Sequence, residues 1–249
     1  MYSSYVARQP IINATGDTIA YELLYRNSPL NACPKIDGEY ATRSILTDLL
    51  LDNDRLLLNG VKGYINFTQQ SIIARLPLYL PSSQFVVEIL EGADLCPDLL
   101  DAIKDLHKQG YILALDDFVP TTAWEAALPF ISIIKFDIKQ YSLVDAKGFI
   151  RQHKSLGIKF IAEKIEDHTQ YQQAVDAGFD FFQGYYLAKP ELLRKQILNE
   201  NYPLHFHHIF KILNKHNLPL IHSVEVPVID VANELLKPLK HQYIQFIAP

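Results

Sequence analysis

The chain of 249 residues is 49% apolar and 20% charged, with 10 glycines and 14 prolines. This excludes a disordered or collagen-like chain and gives enough apolar surface for one large domain, or one domain with a short annex. Its 23 basic and 28 acidic residues leave a net charge of −5, which argues against a general binder of DNA or of an anionic membrane, since both favour basic surfaces.

Chain order begins with two apolar runs, Tyr5–Ile12 and Thr18–Leu24, separated by Asn13–Asp17 with its Gly16, and this predicts a hairpin. Ala41–Leu51 predicts a helix, because Ile45, Leu46, Leu49 and Leu50 form one stripe. Strands are expected at Gly63–Phe67 and Gln84–Leu90, then a helix at Asp98–Leu106. Strands follow at Tyr111–Leu115 and Ile131–Phe136, a helix at Lys147–Leu156, and a strand at Lys159–Ala162. A helix at His168–Ala177 and a strand at Phe179–Phe182 complete the series. Gly157 and Gly178 stand where helix C-cap glycines are expected. Several of these strands are apolar nearly throughout, as strands covered on both faces should be. Strand and helix alternating in this way predict an α/β fold with a parallel sheet, and about eight strands fit a barrel better than an open sheet.

Beyond Lys189-Pro190 no further barrel strand is evident. Glu191–Asn199 and His205–Asn214 read as helices, and Val231–Leu239 as a weaker one. Residues 1–195 are therefore assigned to the barrel and 196–249 to a mainly helical annex. Cys33 and Cys96 have no CxxC or Cys/His spacing, Met1 is followed by polar Tyr2, Ser3 and Ser4, and no apolar run is long enough to span a bilayer. A cytoplasmic protein with no membrane segment is expected.

The most informative feature is what ends each apolar run. Asn66 ends YIN, Glu88 ends FVVE, Asp116 and Asp117 end ILALDD, and Lys135 and Asp137 sit in IIKFD. Glu163 ends KFIAE, Gln183 ends FDFFQ, and Glu22 sits in AYELLYR. In a βα barrel the C-terminal strand ends share one face, so these groups would converge on one mouth. Glu22, Glu88, Asp116, Asp117 and Glu163 would then crowd carboxylates together, opposed mainly by Lys135. Either these groups form a network of strand-end salt bridges, or hard divalent cations make the crowding tolerable. Oxygen ligands without His or Cys favour Mg²⁺ or Mn²⁺. Adjacent Asp116 and Asp117 are suited to bridging two ions, an arrangement that clamps the attacking and leaving oxygens of a phosphate ester.

These residues, in this order, resemble the EAL domains of bacterial cyclic-di-GMP signalling over about residues 5 to 190. The opening Glu-Ala-Leu and its Arg are similar to Glu22-Leu23-Leu24-Tyr25-Arg26, and the strand-end Asn to Asn66. Glu-Leu-Thr-Glu is matched by Glu88-Ile89-Leu90-Glu91, Asp-Asp-Phe-Gly by Asp116-Asp117-Phe118-Val119, and Lys-x-Asp by Lys135-Phe136-Asp137. Ala-Glu-Gly-Val-Glu is similar to Ala162-Glu163-Lys164-Ile165-Glu166, and Gln-Gly-Tyr and Lys-Pro to Gln183-Gly184-Tyr185 and Lys189-Pro190. Arg8-Gln9-Pro10-Ile11, YELLYR and AEKIE look most like the branch in which EAL precedes an HDOD domain.

The resemblance implies a modified TIM (β/α)8 barrel beginning with a β-hairpin, which hydrolyses cyclic-di-GMP to linear pGpG. It implies two metals held by Glu22, Asn66, Glu88, Asp116 and Asp117. Lys135 and Glu163 would position and deprotonate the attacking water, with Gln183 behind them. Arg26 would touch the nucleotide, or else be an exposed charge at a helix start. Glu91 would anchor the loop after Asp-Asp-Phe. That loop departs from the family: Val119-Pro120-Thr121-Thr122-Ala123-Trp124 replaces a glycine-rich segment, removing φ > 0 freedom and a backbone donor. Leu23 replaces the signature alanine, and Lys164 replaces a glycine, putting a cation beside the site. An intact ligand set with an altered loop admits a second reading, a catalytically silent domain that signals by binding cyclic-di-GMP or a protein partner. A homodimer is also admitted. Trp124 is expected either to stack on a guanine or, as lone aromatics more often do, to pack in the core. In the annex no full HDOD domain is evident. His205, His207, His208 and His216 lack regular ligand spacing and read as helix-surface residues, while Phe206, Ile209, Phe210, Ile212 and Leu213 lie at helical spacing, suited to covering the barrel or a dimer partner.

Overall fold

The computed structural model describes residues 2–26, 37–51 and 58–197. Cys33, the annex histidines and the helices expected at His205–Asn214 and Val231–Leu239 lie outside the described residues. Among the described residues, no helix is long and apolar enough to cross a membrane.

β1 (Tyr2–Asn13) and β2 (Thr18–Arg26) form the expected antiparallel hairpin. Its turn is held by Asn13, whose Oδ1 accepts from the backbone N–H of Thr15 and of Asp17, and Gly16 supplies φ +89°. From β2 onward each strand pairs in parallel with the next: β3 (Lys62–Phe67), β4 (Phe85–Ile89), β5 (Ile112–Leu115), β6 (Ile133–Asp137), β7 (Lys159–Glu163) and β8 (Phe181–Phe182). β8 returns antiparallel to β1 at Ile12 and Asn13, which closes an eight-stranded barrel.

The helices outside are α1 (Gly38–Leu51), α2 (Gln69–Ile73), α3 (Pro97–Lys108), α4 (Leu143–His153) and α5 (His168–Ala177). In α3, Pro97 opens the helix, Asp98 and Lys108 complement its dipole, and Leu99, Ala102, Ile103 and Leu106 form the buried face. Each of the larger apolar side chains there contributes about 1.5–3 kcal/mol. α4 begins earlier than its apolar stripe suggests, because Ser142 accepts from Asp145 N–H and caps it. α5 starts at the Asp167 cap and stops at Gly178, φ +98°. The β5–β6 connection contains only short 3₁₀ turns, Thr122–Ala126 and Leu128–Phe130. The main core lies between the sheet and these helices.

One expectation is corrected. Glu191–Asn199 does not start a helix: Glu191–Ile197 is a strand, β9, antiparallel to β1 over Tyr2–Arg8. β1 extends beyond the short β8, and the edge left open there accepts another strand. Arg8 faces Glu191 across this pair and its guanidinium donates to Glu191 Oε2 at 2.9–3.0 Å, while Leu193 lies opposite buried Val6 and packs on the core.

Candidate active site

Side chains two apart on a strand share a face. Ile11, Ala20, Tyr64, Val86, Ala114, Ile133 and Ile161 form a separate apolar cluster inside the barrel, with Phe181 packed against it. Two residues further toward the mouth, the same strands carry Glu22, Asn66, Glu88, Asp116, Lys135, Glu163 and Gln183. β1 runs the other way, so its contribution is Gln9, two residues before Ile11. The barrel is therefore plugged by apolar side chains and topped by a wholly polar layer.

Lys135 stands at the centre of that layer. Its Nζ lies 2.8 Å from Asp116 Oδ1, 2.8 Å from Glu163 Oε1, 2.6 Å from Glu88 Oε1 and 3.6 Å from Glu22 Oε2. Glu22 is further held by Asn66 Nδ2, which donates to Oε1 at 3.1 Å, and by Gln183 Nε2, which donates to Oε2 at 2.7 Å. Gln183 Nε2 also lies 3.3 Å from Gln9 Oε1. The side chains of Lys135 and Glu88 are 1% and 0% exposed. Burial pushes the Glu88 and Glu163 carboxyls well above the usual range, and Lys135 offsets this only in part. Burial would strip Lys135 of its proton, but Asp116, Glu163, Glu22 and Glu88 outweigh it and hold the ammonium charged.

Asp116 and Asp117 follow directly after β5. Successive strand residues point to opposite faces, but Asp117 leaves the strand at φ +39°, and this turn brings both carboxylates to the same side. Asp116, Asp117 and Glu163 each place an oxygen within 4.8 Å of the others, a spacing that can hold a metal ion. Lys164, directly after β7, also adopts positive φ, +59°. Its ammonium donates to Asp117 Oδ2 at 2.8 Å and to Asp137 Oδ2 at 2.7 Å, bridging the tip of β6. Asp137 also accepts from Lys139 N–H and Gln140 Nε2. Its carboxyl is opposed by burial, but Lys164, Lys139 and Gln140 together keep it below the usual range.

The layer is rich in acceptors without donors. Asn66 Oδ1, both Glu88 oxygens, Asp117 Oδ1 and Gln183 Oε1 are buried with no hydrogen-bond partner; the close Lys135–Glu88 contact is an ion pair without hydrogen-bond alignment. Buried acceptors in a carboxylate cluster are complemented by cations, so the residues present fit divalent metal ions. Above the layer opens a cavity of about 370 Å³, lined by Glu22, Asp116, Asp117, Glu163, Gln183 and Tyr185 among others. Gln9, Lys139 and Glu166, to which the strand-end argument gave no role, line it too. The two-residue offset on β1 would have found Gln9; Lys139 and Glu166 lie on loops, where no periodicity marks them.

Arg26 is buried at the end of β2, donates to Tyr25 O at 2.8 Å, and is not among the described residues lining this cavity. It is a strand-end residue, not an exposed helix-start charge. Glu91 lines a smaller cavity of about 140 Å³ with Asp116, Asp117, Val119 and Trp124. Trp124 packs edge-on against Phe118, centroids 6.2 Å apart, which is the core-packing role.

A family model described as the EAL domain matches residues 30–190. Among curated proteins the chain is 43% identical over 205 residues to Cyclic di-GMP phosphodiesterase CdgJ of Vibrio cholerae, covering 80% of this chain and 47% of that protein. It is 32% identical over 252 residues to the uncharacterized protein YuxH of Bacillus subtilis, covering 98% and 59%. The chain thus spans about half the length of the curated relatives it matches. Among solved structures it is similar to an EAL domain protein from Listeria monocytogenes (TM-score 0.62, 19% identity, 75% of this chain, 88% of that one). It is also similar to the manganese/cyclic-di-GMP complex of Klebsiella pneumoniae BlrP1 (TM-score 0.62, 23% identity, 77% and 57%). At such identities these structures speak to the fold, a modified TIM barrel, and the family-model match and curated relatives carry the assignment further: the chain belongs to the EAL-domain family.

Proposed function

We propose that this protein is a metal-dependent phosphodiesterase that opens cyclic-di-GMP to linear pGpG in the bacterial cytoplasm. The observation that carries this reading is the polar layer, where four carboxylates surround one buried ammonium and five buried acceptor oxygens lack a donor. The similarity to CdgJ supports the substrate.

In this reading Glu22, Asn66, Glu88, Asp116 and Asp117 hold two ions, Mg²⁺ or Mn²⁺. When bound, the ions offset the charge that grows on the phosphate and make water a better nucleophile. Glu163, buried at the end of β7 and facing the cavity, takes a proton from the attacking water. The water oxygen bonds to phosphorus while the bond from phosphorus to the 3′-oxygen breaks, and that oxygen leaves with a proton from solvent. Lys135 keeps Glu163, Asp116 and Glu88 in register and adds positive charge beneath the phosphate. Gln183 fixes Glu22 and lies on the cavity wall beside the nucleotide.

The test is incubation of purified protein with cyclic-di-GMP and Mn²⁺, followed by chromatography of the nucleotides. Metal-dependent appearance of pGpG, abolished by EDTA, is expected. Tight binding without pGpG would instead make the protein a receptor, the outcome that the Val119–Trp124 loop favours. Absence of both binding and turnover would overturn the reading.

A further inference from the structure

We infer that Lys164 is a built-in competitor for Asp117, so that the Asp116–Asp117–Glu163 half of the site binds its divalent cation more weakly than the Glu22–Asn66–Glu88 half. The inference concerns this chain's own lysine, and rests on the reading of the barrel mouth as a two-cation site. The two halves differ in whether a second ammonium, beyond Lys135, already contacts them. Glu22 accepts from the neutral donors Asn66 Nδ2 and Gln183 Nε2, and the buried Lys135 ammonium reaches both halves alike, Glu22 and Glu88 on one side and Asp116 and Glu163 on the other. Asp117 instead gives Oδ2 to the Lys164 ammonium at 2.8 Å. Its other oxygen is buried and unpartnered, and it lies in the only group of three carboxylates among the described residues with metal-holding spacing.

Lys164 is held there by its surroundings. Positive φ directs its side chain back over the mouth, and Asp137 Oδ2 at 2.7 Å anchors the ammonium from the other side. A second cation at Asp117 must therefore share that carboxylate with a fixed positive charge, or displace it. Displacement is feasible, because the Lys164 side chain is 44% exposed and can swing into solvent, while Asp137 keeps Lys139 N–H and Gln140 Nε2 as donors. The consequence is a graded site: the deeper cation binds first, and the outer one binds only at higher concentration. This would tie turnover to the supply of divalent cation.

The test is calorimetric titration of the metal-free protein with Mn²⁺ alone, without nucleotide, at fixed ionic strength. Two steps are expected for the wild type. In Lys164→Met, which removes the charge and keeps the length, the weaker step should tighten about tenfold, as expected for deleting one charge near a divalent ion in a partly solvated site. The tighter step should move less than about threefold, since its ligands do not contact Lys164. Lys164→Arg should keep the weak step. Lys139→Met controls for total charge: it removes a cation that pairs with Glu166 on the same mouth, and should leave the weak step in place. An unchanged weaker step in Lys164→Met, or equal tightening in Lys139→Met, overturns the inference while leaving the two-cation site standing. A wild type that binds no Mn²⁺ overturns both.

Discussion

Lys135 holds four carboxylates on one buried ammonium, so its removal leaves uncompensated negative charge on side chains that are at most 13% exposed. Lys135→Met is expected to destabilise the metal-free protein by about 3–5 kcal/mol, the usual result of deleting one partner of a buried ion pair. Denaturant unfolding in EDTA measures this, and Mn²⁺ should restore much of the loss by taking over the ammonium's role. Asp116→Ala removes one of the repelling groups instead. Its metal-free stability should stay within about 1 kcal/mol of wild type or rise, while Mn²⁺-dependent hydrolysis disappears. If Asp116→Ala unfolds the metal-free protein, that carboxylate is structural. For Glu163→Gln the fold should persist and turnover should drop by about 10²–10⁴, the range for losing a proton acceptor. The strand-end residues were legible because each sits two positions beyond an apolar neighbour, a pattern that a barrel interior imposes. What sequence could not supply was the pairing of Lys164 with Asp117, because it depends on two residues leaving their strands with positive φ at ends separated by β6.

At the scale of elements, Gly184 is placed by close approach and not by turn chemistry. A Cβ built there would lie 2.2 Å from Ile165 O and 2.3 Å from Ile165 N, which are backbone atoms that cannot rotate away. The β7–α5 loop and the segment after β8 are tied at this point, with Ile165 N–H donating to Gln183 O and Tyr186 N–H to Ile165 O. Gly184→Ala should therefore destabilise by about 1–3 kcal/mol, as overpacking does. It should also shift Gln183, so the substrate KM should worsen more than the stability loss alone explains; thermal unfolding and steady-state kinetics together check this. β9 shows where local reading fails. Glu191-Leu192-Leu193-Arg194-Lys195-Gln196 is made of good helix formers and has no strand alternation. It becomes a strand because β1 runs seven residues, Tyr2–Arg8, along an edge that β8 is too short to cover. Tertiary pairing overrides propensity here, and no window around residue 191 contains the information.

For the whole molecule, the mouth concentrates negative charge that folding must tolerate, and this sets the dependence of stability on pH. Glu88 and Glu163 hold their protons more tightly in the folded chain than in the unfolded one, chiefly because they are buried. Below the ordinary carboxylate range both states are protonated and nothing is lost. As pH rises past it, the unfolded chain releases these protons first, so the folded state loses ground until the buried groups ionise as well. Asp137 is shifted the other way, so its contribution is lost only in more acid solution and does not compete in this window. In EDTA the melting temperature should therefore fall between about pH 5 and pH 8. Divalent cations bind only deprotonated carboxylates, so their stabilising effect should grow over the same range, and Mn²⁺ should flatten the profile. Glu163→Gln, which cannot ionise, should reduce the slope in EDTA. A melting temperature in EDTA that holds or rises between these pH values would mean that the strand-end carboxylates are satisfied within the protein, as a salt-bridge network would be. Their convergence in the barrel would then stabilise the fold without calling for metal.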